Sequence, residues 1–399
     1  MNYILFDDET WKDLLPFTYT RPISEIRIGI LTIREKWEYI LKKNISYHSV
    51  PYLSEKYPSQ FQKGKNNIWI NSKVCPDKVV VKKINSLNEG EALFYHKVLI
   101  AANTGSSNSF NEERISKKFS KINFDGELLF VEFIWDVFSK NADAFQRDFD
   151  ILTKNRASQK LSKSNTVIGK GRVFLEKGAN VECAILNTSH GDIYIGKNAV
   201  VMEGAKIRGP FAACESAEIK MDAKIYGATT VGPFSKVGGE INNSVIFGYS
   251  NKAHDGFLGN SVIGEWCNLG ADTNNSNLKN NYGNVKVWNY RNEEMMDTGL
   301  TFCGLFMGDH SKCAINTMFN TGTVVGVNAN IFGSDFPIHF IPSFSWGGAE
   351  EFEDYRLDKA IQVADRVMAR RNKKLTEADK QIMSEVFEYS KKFRVKEDF

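Results

Sequence analysis

The chain has 399 residues, 42% of them hydrophobic and 25% charged, with a formal net charge of +3. That length holds two or three domains with cores of their own, and so balanced a charge gives no sign of nucleic acid or a membrane surface as a partner, and neither is expected. Six scattered cysteines without a CxxC pair exclude a disulfide framework and a closely spaced zinc site.

The N-terminus, "MNYILFDDETW", puts acids directly after a short apolar run. That is not the pattern of a signal peptide, and no apolar run is long enough to span a bilayer, so a cytoplasmic protein is expected. Residues 1–125 read as an α/β domain. "YILFDD" is a buried strand ending in Asp7 and Asp8, "EIRIGILTIREKWEYILKK" leads into an amphipathic helix, and "VVVKKI" and "KVLIAA" read as further strands. Acids that end a strand either hold a cation such as Mg²⁺, with Asp7 the first candidate ligand, or cap a turn. Residues 126–162, with apolar spacing near three and four, read as a helical connector.

From about residue 163 a different period takes over. Ile195, Val201, Ile207, Ala213, Ile219, Ile225, Val231 and Val237 recur in sixes. Val167, Val173, Ala179 and Ile185 precede them in the same step. Phe257, Ile263 and Leu269, then Met307, Cys313, Phe319, Val325 and Ile331, follow. Residues six apart diverge on a helix but share a face on strands, because six is even. Short strands with a corner after each then stack into coils around one core. The domain is therefore expected over 163–342, with breaks in phase marking loops, the longest from Asp272 to Leu300. Residues 343–399 read as a helical extension with Thr376 as N-cap and Asp379 three later. Its basic run, Arg366, Arg370, Arg371, Lys373 and Lys374, is either a solvated face or a contact for a phosphate-bearing cofactor.

One stretch carries chemistry: "SNKAHDGFLGNSVIGEWCNLGADTNNSNLKNNYG", residues 250–283. It resembles the sugar-phosphate nucleotidyltransferases with a left-handed β-helix acyltransferase domain, of the bifunctional N-acetylglucosamine-1-phosphate uridyltransferase / glucosamine-1-phosphate acetyltransferase type. The matching pieces are Lys252-Ala253-His254, Leu258-Gly259-Asn260, Ile263-Gly264, Asn268-Leu269-Gly270-Ala271-Asp272-Thr273 and Asn277. Phe257 stands where the family often has tyrosine, and Asp272 where it often has glycine. The resemblance implies an α/β nucleotidyltransferase-like domain, a left-handed parallel β-helix and C-terminal helices. It implies His254 as the general base of acetyl transfer from acetyl-CoA to an amino-sugar 1-phosphate, in the manner of UDP-N-acetylglucosamine synthesis. Lys252, Asn268, Asn277, Lys279 and Lys286 would then bind the acceptor, and Ala271 and Lys312 the coenzyme A. A homotrimer is implied as well. That chemistry needs a base near neutral pKa and donors for a developing oxyanion, and amides suit a sugar's hydroxyls.

The N-terminal domain departs from the same family. Its strand lacks the glycine-rich triphosphate loop, with no glycine before Gly29, and Ile23 and Ser24 follow Arg21-Pro22 where a lysine is expected. Asp7, Asp8 and Arg21 are the remaining candidates for nucleotide contact, with Mg²⁺ if the domain is active. Other classes stay open: a nucleotidyltransferase alone, a sugar O-acetyltransferase and a non-catalytic sugar-nucleotide scaffold. A zinc β-helix enzyme is not expected, since His190, His254, His310 and His339 are far apart in sequence.

Overall fold

Strands of two or three residues cannot hold themselves, so the β-helix depends on what its coils bury together. In the computed structural model, which describes residues 1–106 and 109–394, successive short strands pair in parallel into three faces. The first face runs from Thr166–Ile168 to Phe257–Gly259, the second from Val173–Leu175 to Phe340–Ile341. The third starts at Asn180–Val181, passes through Lys236–Val237, Asn251–Lys252, Asn268–Leu269 and Lys312–Cys313, and reaches Ser345–Gly347. This is the hexapeptide-repeat, left-handed parallel β-helix architecture with C-terminal helices.

The hexads from Ile195 to Val237 and from Met307 to Ile331 are all in the continuous apolar core. Two hexad positions are off by one. Ile185 and Phe257 point outward, and Leu186 and Leu258 are the buried residues, paired in register with Ile207 and Ile241. Leu186 comes five residues after Val181, and Ile263 five after Leu258, so a count in sixes misses by one at each place.

The long excursion also begins later than Asp272. Asn274–Asn275 is a strand of the coil, paired with Met318–Phe319, and Asn275 is buried. The first-face ladder ends at Phe257–Gly259. There the side chains of Asn274 and Asn275 replace the missing main-chain bonds. Asn274 Oδ1 accepts from the Phe257 N–H at 2.8 Å. Asn275 Oδ1 accepts from the Gly259 N–H at 2.9 Å, and its Nδ2 donates to the Gly259 carbonyl at 3.1 Å. An amide carries a donor and an acceptor, so it can stand in for a peptide group where a ladder breaks. The excursion proper holds an antiparallel hairpin, Lys286–Asn289 with Glu294–Asp297.

The chain divides into two units, each with its own packing. The first comprises Met1–Leu14, Arg21–Ile26 and Leu31–Glu132. Its six-stranded sheet has the order Ser46–His48, Asn2–Phe6, Asn67–Asn71, Val98–Gly105, Glu91–Tyr95, Ser120–Asn123, and its first three strands are parallel. "VVVKKI" is not a strand here. Lys78–Asn85 is a helix capped by Asp77, whose side chain accepts from Val79 and Val80 N–H, and it buries Val80 and Ile84 one turn apart. The cap and the four-residue spacing outweigh the β-branched run.

The second unit comprises Leu15–Thr20, Arg27–Ile30 and Phe133–Phe399. The early segments are buried in it. Phe17 packs on Phe247 with ring centres 5.2 Å apart, and the Thr20 hydroxyl donates to Asp309 at 2.6 Å. Gly29 has φ +72°, its N–H donates to Asn141 Oδ1 at 2.6 Å, and an added Cβ would sit 2.7 Å from the Ala144 carbonyl carbon, so only glycine fits. Helices Asp136–Ser139 and Asn141–Thr153 precede the coils. Helices Leu357–Ala369 and Glu377–Tyr389 follow them, the latter with a complete Thr376–Asp379 capping box. The last residues of the expected helical extension, 395–399, lie outside the described residues.

Ile219 is fully buried in the inward column of the third face. Ile219→Ala is expected to cost about 2–5 kcal/mol, read as a lowered denaturant midpoint for the β-helix transition. A loss under about 0.5 kcal/mol would contradict a load shared by that column.

Candidate active site

His254 lies on the corner 253–256 between Asn251–Lys252 and Phe257–Gly259. It is exposed, and its imidazole makes no hydrogen bond among the described residues. The corner one coil earlier is the short Gly238–Gly239 pair. Those two glycines lie directly against it, where an added Cβ would meet the Ala253 carbonyl oxygen at 2.4 Å and the Gly256 carbonyl oxygen at 2.8 Å.

A cavity of about 950 Å³ lies beside His254 on the third face. Its floor is the outward column of that face, where Lys236, Asn251, Asn268 and Lys312 are successive register neighbours. Lys220 and Ala271 stand on adjoining corners. Tyr249 and Trp266 form one wall, stacked with ring centres 4.2 Å apart and planes 9° apart. Val367, Arg370 and Arg371, at the end of the helix Leu357–Ala369, form another. Arg371 donates to Asn251 Oδ1 at 3.2 Å, and the Lys373 ammonium sits 5.9 Å from the Tyr249 ring centre.

The cavity is strongly cationic, with Lys220, Lys236, Lys312, Arg370 and Arg371 all lining it. Glu218 offsets part of this charge, accepting from Lys220 and Lys236 at 2.7 Å each. Burial pushes the Lys312 ammonium down to about 8, and its Nζ donates to the His310 carbonyl at 2.7 Å. Cations beside flat rings suit a ligand that carries both phosphates and a planar base.

His254, Asn268, Ala271 and Lys312 are thus brought together. Lys252 is not a surface phosphate contact: it is 2% exposed and points into the core, in the inward column of Val237. Asn277 lies at a different corner, where its Nδ2 donates to Asn260 Oδ1 at 2.8 Å. Lys279 donates to the Asn284 carbonyl at 2.7 Å within the excursion, and Lys286 is on the hairpin, so neither lines the cavity. Lys220, Lys236, Tyr249 and Trp266 were not singled out from the sequence. They lie one coil apart, and only the stacking of coils makes them neighbours.

In the first unit, Asp7 and Asp8 follow the strand Asn2–Phe6. Asp7 accepts from the Ser49 hydroxyl and, at 3.3 Å, from the Ile23 N–H. Asp8 accepts from Thr10 N–H at 2.9 Å and Asn71 Nδ2 at 2.8 Å, and pairs with the buried Lys73 at 3.4 Å. Burial pushes the Asp8 carboxyl up, but Lys73 and these hydrogen bonds outweigh it and hold it below the usual range. Arg21 is 5% exposed. These groups do not fit a Mg²⁺ or nucleotide site: Asp8 is neutralised by Lys73, and Arg21 is not presented to a ligand. Among the described residues no group of three or more His, Cys, Asp or Glu is placed to hold a metal.

Comparison with known proteins agrees with the architecture. A family model described as sugar nucleotidyl transferase matches residues 3–157. The chain is 28% identical over 197 residues to the bifunctional protein GlmU of Methanocaldococcus jannaschii, covering 47% of this chain and 43% of that one. It is 25% identical over 249 residues to that of Methanococcus aeolicus, covering 62% and 56%. It is 30% identical over 162 residues to the bifunctional sugar-1-phosphate nucleotidylyltransferase/acetyltransferase of Sulfurisphaera tokodaii, covering 40% and 39%. The chain thus spans about half the length of these relatives or less. Among solved structures, the Arabidopsis UDP-N-acetylglucosamine acyltransferase matches 53% of this chain and 80% of its own, with 15% identity and a TM-score of 0.24. The chain thus joins a stretch similar to sugar nucleotidyl transferases, over residues 3–157, to a hexapeptide-repeat β-helix. It resembles the bifunctional GlmU-like proteins. No helix among the described residues is long and apolar enough to cross a membrane.

Burial pushes Asp7 up to about 6. Between the ordinary carboxylate range and that value, the folded chain keeps a proton that the unfolded chain has released. Asp7 therefore costs stability as pH rises through this window, and costs it in full above 6. Asp7→Asn is expected to stabilise the first unit by about 2–3 kcal/mol at pH 7.5 and by clearly less at pH 4.5, measured as denaturant midpoints. An equal effect at both pH values would contradict a buried, raised carboxyl.

Proposed function

We propose that the β-helix transfers an acetyl group from acetyl-CoA to the amine of an amino sugar that carries a phosphate or nucleotide. The observation that carries this reading is the convergence of one exposed imidazole, one exposed amide and five cationic side chains on a single cavity. His254 takes the proton from the attacking amine, a role suited to the side chain whose ordinary pKa lies near neutrality. Asn268, exposed on the floor, is a donor and acceptor for the acceptor's hydroxyls. The phosphates of coenzyme A lie along Lys220, Lys236, Arg370 and Arg371, with Tyr249 and Trp266 as the surface for its base. When bound, acetyl-CoA supplies the activated thioester; the chain supplies the base, the charge and the platform. The protein acts as a homotrimer in the cytoplasm, and its product enters nucleotide-sugar synthesis of the UDP-N-acetylglucosamine type.

The first unit is read as descended from a nucleotidyltransferase rather than active as one. The Asp8–Lys73 pair and the buried Arg21 support that reading.

Thiol release from acetyl-CoA with glucosamine-1-phosphate and galactosamine-1-phosphate tests the proposal. His254→Ala is expected to lower the rate by a factor of about 10² or more with the fold intact. No thiol release by the folded wild type with either sugar would sink it, and would favour a scaffold role.

Arg370→Ala and Arg371→Ala are expected to raise KM for acetyl-CoA about tenfold each, with kcat little changed. The wild-type KM should also rise with salt, since ionic strength screens the contacts made at the open side of the cavity. A KM for acetyl-CoA that is indifferent to both changes would place the phosphates elsewhere.

A further inference from the structure

The inward column of the third face reads Val181, Val201, Ile219, Val237, then Lys252, and continues with Leu269, Cys313 and Ile331. An ammonium among aliphatic side chains is costly unless its three N–H groups are all met. Here they are. Lys252 Nζ donates to the carbonyl of His254 at 2.6 Å and to that of Asp255 at 2.9 Å, and its third contact is the Gly238 carbonyl at 3.5 Å. Two of these acceptors belong to the corner that carries His254, and the third to the shortened corner packed against it. The side chain of His254, by contrast, has no hydrogen-bonded partner among the described residues that would orient it. The main chain of 253–256 therefore sets where the Cα–Cβ bond of His254 points, and that main chain is fastened from inside the coil.

We infer that Lys252 is a positioning residue, which holds the His254 corner through its carbonyl oxygens and so aims the imidazole at the cavity. It touches no substrate and moves no proton. The inference rests on the reading of His254 as the base, and it deepens that reading by naming what fixes the base in place. A lysine kept only for stability would be an odd choice, because burial works against its charge and pushes it down to about 8. An aliphatic side chain in that column would pack without such a penalty.

The test is Lys252→Met, which keeps the length and loses the donors. The expected result is a folded protein with a melting temperature equal to or above wild type, KM for acetyl-CoA within about twofold, and kcat lowered at least about tenfold. A folded Lys252→Met with wild-type kcat, while His254→Ala is inactive, overturns the positioning role and leaves the base reading standing. Wild-type activity in His254→Ala sinks the base reading instead. A second readout does not need activity. In protein with ¹³C-labelled histidines, the His254 ring signal, assigned by its loss in His254→Ala, is expected to shift or broaden in Lys252→Met while the signals of the remaining histidines stay put. An unchanged His254 signal overturns the inference. Lys252→Gln, which retains amide donors on a shorter chain, is read the same way. If neither variant folds, Lys252 is a folding residue and the inference fails.

Discussion

The register of the coils is the constraint on which everything else rests. Each strand of the β-helix is too short to persist alone, so the aliphatic column inside the coils has to hold them. That column fixes which residue of each strand faces out, and hence which side chains line up along a face. The cavity floor, Lys236–Asn251–Asn268–Lys312, is simply the outward partner of the inward row Val237–Lys252–Leu269–Cys313. A slip of one residue would exchange the two sets and abolish the site.

The same logic explains what was legible beforehand. An even period shared by many hexads can only be strands sharing a face, so the β-helix and most of its core could be read directly. The positions of Ile185 and Phe257 could not, because single steps of five shift the count and leave no mark in the hydrophobic pattern. "VVVKKI" misled for a related reason. Its β-branched run suggests a strand, but Asp77 caps it and Val80 and Ile84 pack at helical spacing.

The candidate site was half legible. His254, Asn268, Ala271 and Lys312 were marked by their resemblance to a family pattern, and they do converge. Two of the asparagines beyond Thr273 have a task in the fold itself. Asn274 and Asn275 splice the main chain where a ladder ends, which is why amides crowd there. Lys220, Lys236, Tyr249 and Trp266 gave no signal, since residues a coil apart look unrelated in sequence. Lys252 gave the wrong one: a lysine two residues before a candidate base suggests a ligand contact, whereas it turns inward and donates to the carbonyls of the corner. In the first unit, the pair of acids after the first strand suggested a cation, whereas Lys73, distant in sequence, supplies the charge that Asp8 needs.

The proposed activity requires that a phosphate-bearing thioester lie along the cationic cavity with its reactive end beside His254. A crystal structure with coenzyme A bound tests this most directly. Phosphates are expected against Arg370, Arg371 and the lysines of the third face, with the sulfur close to the His254 imidazole. Coenzyme A bound at a different face, or an empty cavity at saturating coenzyme A, would contradict it.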